Sequence, residues 1–414
     1  MQAVSLPLLR LCILVGVLSI SLSAFSLWPF GRNAKNAEGT TKDHEVEEYK
    51  PKAADVPSVE RMEKLAKEGS SGAQLALGKL YFDGDSEVKQ DIKKAAYWFR
   101  KAAEQDNPRG MFNYALCLDA GFGVDKDLPL AIEFYRKAAD AGVPEAQLNL
   151  AIMLEERGQY EDALTYYAML ATSGHTGAMR KAAGILLDGK AGPKRPVEGA
   201  RFLIMAAERG DTRSQVRLAD CYQRGEGVEV DYNEMFNWLS LAAKADDEEA
   251  QAKVGYCYAR GLGTAPSSDI AFKWYRRSAE AGYEAGQVAL GNCYLQGQGV
   301  ERDLNKSTSW FRQAAERGDA LGQFSLAVSY ALGRGVAKNP EEALAWYRKS
   351  AEQGYALAQY NLGVAYEEGS GAPQDLAQAA MWYGRAAKQG SPEATLSLGL
   401  CFLRGRGVPL DRDE

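Results

Sequence analysis

A glycine loop returns along most of this chain at nearly constant spacing. Its first glycine stands at Gly84, Gly121, Gly158, Gly189, Gly225, Gly261, Gly297, Gly333, Gly369 and Gly405. The steps are 37, 37 and 31 residues, and then 36 six times. Variants read "GFGVDKD" at 121, "GEGVEVD" at 225, "GQGVERD" at 297, "GRGVAKN" at 333 and "GRGVPLD" at 405. A period of roughly 20–50 residues is the mark of a stacked repeat array. Taken alone, such a turn could aim backbone N–H groups at an anion. Its recurrence, with no lysine in P-loop position, predicts helix connections rather than phosphate sites.

Each unit holds two helical patterns. In "EAGQVALGNCYLQG" the residues Ala285, Val288, Ala289, Cys293 and Tyr294 share one face at the helical period. In "LNKSTSWFRQAAERG" the set is Leu304, Trp310, Phe311, Ala314 and Ala315. Gly297 and Gly318 sit just past the two helices, where glycine caps most easily, and Asp303 suits an N-cap. An aromatic follows each loop: Trp98, Tyr135, Phe202, Trp238, Trp274, Trp310, Trp346 and Trp382. Its spacing predicts core between repeats, not a carbohydrate platform. Neither helix can bury its face alone, but stacked neighbours can. The expected fold is all-α: a right-handed α-solenoid of about nine helix pairs with a half unit at each end.

Residues 1–24 place Arg10 before an apolar run that ends in Ser21, Ser23 and Ala24, the pattern of a secretory signal peptide. The alternative is an uncleaved anchor over residues 11–28, and either reading exports the folded part. Residues 25–56 are expected to be a polar linker. The solenoid is expected over 57–414, with a half unit at 57–69, repeats from about 70 to 393, and a terminal half unit at 394–414. That last unit lines up Leu396, Leu398, Leu400, Phe402 and Leu403 on a first helix. A truncated frame, self-association through this end and fraying are all compatible with it. A formal net charge of -6 argues against a general nucleic-acid binder.

The stretch "AQYNLGVAYEEGSGAPQDLAQAAMWYGRAAKQG" (358–390) resembles the Sel-one-like repeat, a long-loop relative of the tetratricopeptide repeat. The unit "RGQYEDALTYYAMLATSG" (157–174) lacks the long loop and is similar to an ordinary tetratricopeptide unit. The resemblance implies an adaptor that holds protein partners together. One cysteine-rich branch of the family is linked to β-lactam binding or hydrolysis, through a cysteine pair in each repeat. Here Cys117, Cys221, Cys257, Cys293 and Cys401 fall one per repeat, four residues before the loop glycine. Equivalent helices about 10 Å apart are too far for a disulfide. These cysteines are therefore expected to be free, buried and apolar in character, and Cys12 lies in the signal.

No nucleophile–base–acid set is visible, so no enzyme activity, cofactor or metal site is expected. The alternatives are a β-lactamase-like hydrolase and a cell-wall polysaccharide binder. The histidines, His44 and His175, are too few for most His-based metal sites, and His175 reads as an exposed loop residue. By resemblance to tetratricopeptide arrays, the first helices line a concave groove. Overlaying them puts Lys181, Arg217 and Lys253 at one equivalent position in three consecutive repeats, with Arg180 adjoining and Arg224 and Arg260 just before the loop glycines. Asn113, Asn149 and Asn361 take the same position elsewhere and could bond an extended peptide backbone. The functional reading is a groove for a protein or peptide partner, especially an acidic one, because arginine grips carboxylates in pairs of hydrogen bonds. The plain alternative is a solvated face whose cations pair with nearby acids.

Overall fold

The computed structural model describes residues 59–84 and 88–409. The expected signal or anchor, the linker and residues 410–414 lie outside them. Among the described residues the regular structure is entirely helical. The elements are α1 (Val59–Lys67), α2 (Ser71–Asp83), α3 (Ile92–Ala103), α4 (Pro108–Ala120), α5 (Leu128–Asp140), α6 (Pro144–Glu156), α7 (Tyr160–Thr172), α8 (Thr176–Asp188), α9 (Pro196–Ala207) and α10 (Thr212–Arg224). They continue with α11 (Tyr232–Lys244), α12 (Glu248–Arg260), α13 (Ser268–Glu280), α14 (Glu284–Gln296), α15 (Leu304–Glu316), α16 (Ala320–Leu332), α17 (Pro340–Glu352), α18 (Ala356–Glu368), α19 (Leu376–Ala387) and α20 (Pro392–Arg404). Even-numbered helices are the first of each pair and odd-numbered ones the second. Each packs against the helices before and after it, which makes an α-solenoid.

Local chemistry sets the helix ends. Asp91, Asp127, Asp231, Asp303, Asn339 and Asp375 each accept a free N–H at the start of a second helix. The first glycine of the loop ends the first helix in the left-handed region, with φ near +70° at Gly225, Gly261 and Gly297. The second glycine does different work. A Cβ on Gly227 would stand 2.0 Å from the carbonyl oxygen of Pro196, and one on Gly299 2.2 Å from that of Ser268. Where this second glycine recurs, at Gly123, Gly227, Gly263, Gly299, Gly335, Gly371 and Gly407, the loop lies directly on the first turn of the preceding second helix, whereas Gly192 has nothing within 4 Å of its Cβ position. In the short unit only residues 157–159 separate α6 from α7, which accounts for the 31-residue step.

Two repeated contacts seal the stack. A glutamine near the start of the first helix donates to a carbonyl at the end of the preceding second helix, as Gln215 does to Ala207 at 3.0 Å and Gln359 to Ala351 at 3.1 Å. Deeper in the seam a glycine lies under a ring of the following second helix. A Cβ on Gly255 would stand 2.7 Å from Tyr275, on Gly291 2.6 Å from Phe311, and on Gly363 2.7 Å from Tyr383. This corrects the expectation about tryptophan. Tyr135 and Trp382 are buried as expected, but Trp238, Trp274, Trp310 and Trp346 are half-buried, and the buried neighbour is the next residue, Leu239, Tyr275, Phe311 or Tyr347. One residue turns a helix by about 100°, enough to move the tryptophan from the seam to its edge. There Lys349 sits 3.8 Å above the Trp346 ring and the Arg385 guanidinium 4.4 Å above Trp382.

The first helices form the inner side of the stack. α12 touches α14, and α14 touches α16, beyond their paired helices. Repeats that approach most closely along the first helices must curve toward them.

Candidate functional site

The sixth residue of each first helix faces this inner side, and in α8, α10 and α12 it is Lys181, Arg217 and Lys253. The structure does stack the three, but each stands among carboxylates. Lys181 Nζ lies 3.1 Å from Glu155 Oε2, which also accepts the Tyr167 hydroxyl at 2.8 Å. Arg217 lies 3.9 Å from Asp188 and 3.6 Å from Glu226. Lys253 Nζ lies 2.8 Å from Asp220 and 2.9 Å from Glu249. The result is a run of interlocked ion pairs that crosses from one first helix to the next.

The environment differs along the run. Lys181 is half exposed, while Lys253 is buried. The close approach of α12 and α14 excludes water there, and a buried ammonium persists only with such partners. Removing Lys253 would strand acids at a cost of roughly 3–5 kcal/mol. Arg224 and Arg260, two turns beyond the sixth position, are exposed at the helix ends. The Arg260 guanidinium rests 5.9 Å from the Tyr256 ring. Arg180 leaves the inner face and pairs with Asp211 at 3.1 Å.

The asparagines divide as well. Asn113 and Asn149 are half-buried on the inner face, and Asn149 stands beside the buried Tyr135 hydroxyl. Asn361 is buried and donates to Leu357 O of its own helix at 2.8 Å, so its amide is spent internally. His175 is not an idle loop residue. It caps α8, with Nδ1 accepting the Ala178 N–H at 3.0 Å. The five described cysteines are buried and none is in a disulfide. Burial pushes the Cys117 and Cys221 thiols up to about 11 and those of Cys257 and Cys293 to about 12, which keeps them protonated and unreactive.

Overlaying equivalent positions revealed the cations but missed their partners. Glu155, Asp188, Asp220 and Glu249 come from four different positions of their helices, and Glu226 from a loop. No single register shows them together. The signal that could have found one was the i,i+4 spacing of Glu249 and Lys253.

Tandem helix pairs with a continuous inner face and a charged, interlocked centre define a repeat scaffold. The family follows from comparison: the chain belongs to the Sel1 repeat family, whose model matches ten consecutive segments, 71–107, 108–143, 144–175, 176–211, 212–247, 248–283, 285–319, 320–355, 356–391 and 392–414. Among solved structures it is similar to a protective antigen of uropathogenic Escherichia coli displaying an SLR fold. That match has 31% identity and a TM-score of 0.61, and covers 86% of this chain and 85% of the other. It is also similar to a Sel1 repeat protein from Oxalobacter formigenes, at 26% identity and a TM-score of 0.61, covering 72% and 88%. Comparison with curated proteins gives no match. Sel1 and tetratricopeptide-like repeats are generally scaffolds that bind protein partners, and a fold made of repeats alone is typical of non-enzymatic ones.

Proposed function

We propose that this chain is a non-catalytic scaffold that seats a protein segment along the inner face of α8, α10 and α12. One observation carries the reading: three consecutive repeats place Lys181/Glu155, Arg217/Asp188/Glu226 and Lys253/Asp220/Glu249 in one stack. Because Lys181, Arg217 and Lys253 already have acids beside them, a carboxylate-rich partner would have to displace those acids. The partner that fits this face presents charges of both signs and exchanges ion pairs with it. Arg224 and Arg260 are exposed at the edge of the face and supply its accessible positive charge. The apolar run and small residues within residues 1–24 support an exported setting, or a membrane-anchored one over 11–28. Neither the fold nor the family match favours the hydrolase or polysaccharide-binding alternatives.

The test is affinity capture from the exported fraction with the full chain and with its Lys181→Glu/Arg224→Glu/Arg260→Glu variant. Lys253 is left alone because reversing a buried charge would attack the fold. A specific partner kept by wild type and lost by an equally helical variant supports this face. Capture of the same proteins by both sinks it.

A further inference from the structure

The charge network of the central repeats has a counterpart three periods along the chain, and there it is not balanced. Around α8 to α10 two cations and two acids interlock: Lys194 lies 3.9 Å from Glu226, and Arg217 lies 3.6 Å from Glu226 and 3.9 Å from Asp188. Three steps of 36 residues carry Lys194, Glu226, Arg217 and Asp188 to Arg302, Arg334, Ser325 and Gln296. No acid stands at any of these four positions. The loop residue that should answer Arg302 is itself an arginine.

The two places are built alike. Lys194 and Arg302 each directly precede the N-cap of a second helix and lie against the first loop glycine, Gly189 or Gly297. Glu226 and Arg334 each follow the first glycine of the next loop, which rests on that helix's first residue, Pro196 or Leu304. Thr308 fastens the second of these loops, its hydroxyl donating to Arg334 O at 2.7 Å. Arg302 is exposed, and its Nε donates to Leu295 O at 3.1 Å. That bond orients the guanidinium and leaves its outer N–H groups to other acceptors. Arg334 is half-buried, and burial, then the neighbouring Arg302 charge, hold its guanidinium below its ordinary pKa. Among the described residues no carboxylate pairs with either arginine. Of the adjoining acids, Glu301 is exposed, and Asp303 is engaged by Lys306 at 3.4 Å and by the cap of α15.

We propose that Arg302 and Arg334 receive two carboxylates of an acidic segment, the half of the network that the central repeats supply from their own chain. That the ligand is a stretch of protein rests on the scaffold reading above. The acidic contact moves, however, because the central cations are already engaged by acids. Each guanidinium can take a carboxylate in two parallel hydrogen bonds. Phosphate fits less well, since the main chain around the site offers no cradle. The N–H groups of Gln298, Asp303, Arg334 and Asn339 are all bonded to carbonyls of the preceding helix.

Fluorescence anisotropy of a labelled hexaglutamate peptide against the full chain tests this, in about 0.15 M salt, where well-separated charges are screened. A chain of net charge -6 opposes such a peptide except where charge is locally positive. Wild type is expected to bind it, and Arg302→Gln and Arg334→Gln should each weaken binding at least about tenfold. Arg334→Glu rebuilds the pairing of Lys194 with Glu226, so it should abolish binding and raise the urea midpoint. Arg224→Gln/Arg260→Gln should bind as wild type does. The peptide reads these two loops alone, so this site can fail while partner capture on α8, α10 and α12 succeeds, and the reverse. The proposal is overturned by a wild type that does not bind, by a loss that follows Arg224→Gln/Arg260→Gln instead, or by displacement with inorganic phosphate more readily than with succinate. A lower urea midpoint for Arg334→Glu overturns it too, since the two guanidiniums would then not oppose each other.

Discussion

Gly227 shows how much one missing carbon can specify. Its φ is +78°, and a Cβ would meet the Pro196 carbonyl oxygen at 2.0 Å. Both constraints act on the same atom, because the loop reaches the preceding second helix only by turning left-handed over its first residue. Gly227→Ala should therefore cost roughly 3 kcal/mol, read as a lower urea midpoint with unchanged helix content below the transition. Gly184 makes a control: nothing lies within 4 Å of its Cβ position, and helical backbone accepts alanine there. If Gly227→Ala is no worse than Gly184→Ala, the close-approach account fails. The glycine spacing was plain in the sequence. The reason for the second glycine was not, since its neighbour, Pro196, lies two helices back.

At the scale of the element, two caps of the same type behave oppositely. Asp303 caps α15 in the open, and the Lys306 N–H it accepts holds its carboxyl below the usual range. Its contribution is present above the ordinary aspartate pKa and fades as pH falls through the depressed value. Asp319 caps α16 while buried, and burial raises its pKa against the pull of the Gly322 N–H. The stability linked to Asp319 titration is thus fully present at low pH and is lost as pH rises through the raised value. At neutral pH its charge is a net cost, although the cap bond itself is kept. Asp319→Asn keeps the acceptor and drops the charge, so it should raise the urea midpoint at pH 7. The gain should shrink as pH falls below the ordinary carboxylate range. A variant less stable at pH 7 would show that the charged cap is worth more than its desolvation.

For the whole molecule, stability is a sum of repeats and their junctions. Removing residues 284–319, one full period comprising α14 and α15, joins Tyr283 to Ala320 in register and lets α13 meet α16 as it met α14. The shortened chain should fold with unchanged helicity per residue. Removing only α14 with its loop should not, because two second helices would become neighbours and the Phe311 ring would lose its glycine, Gly291. Circular dichroism and urea unfolding separate the two outcomes. Equal stability of both deletions would mean that the seam contacts are not specific.

The sequence by itself determined the repeat, the helix pair within it, the loop glycines and the capping residues. These depend on neighbours within about one helical turn, and periodicity exposes them ten times over. It also identified the stacked cations, because equivalent positions of a repeat share a face. Only the tertiary structure decided which ring enters the seam, since a one-residue rotation exchanges Trp310 for Phe311. Only it paired Lys253 with Asp220 and Lys181 with Glu155, acids that lie 33 and 26 residues away at unlike helix positions. At Lys253 the close approach of α12 and α14 excludes water, and a buried charge must find its opposite; Lys181 stays half exposed and its pair with Glu155 is set by the stacking of α6 and α8 alone.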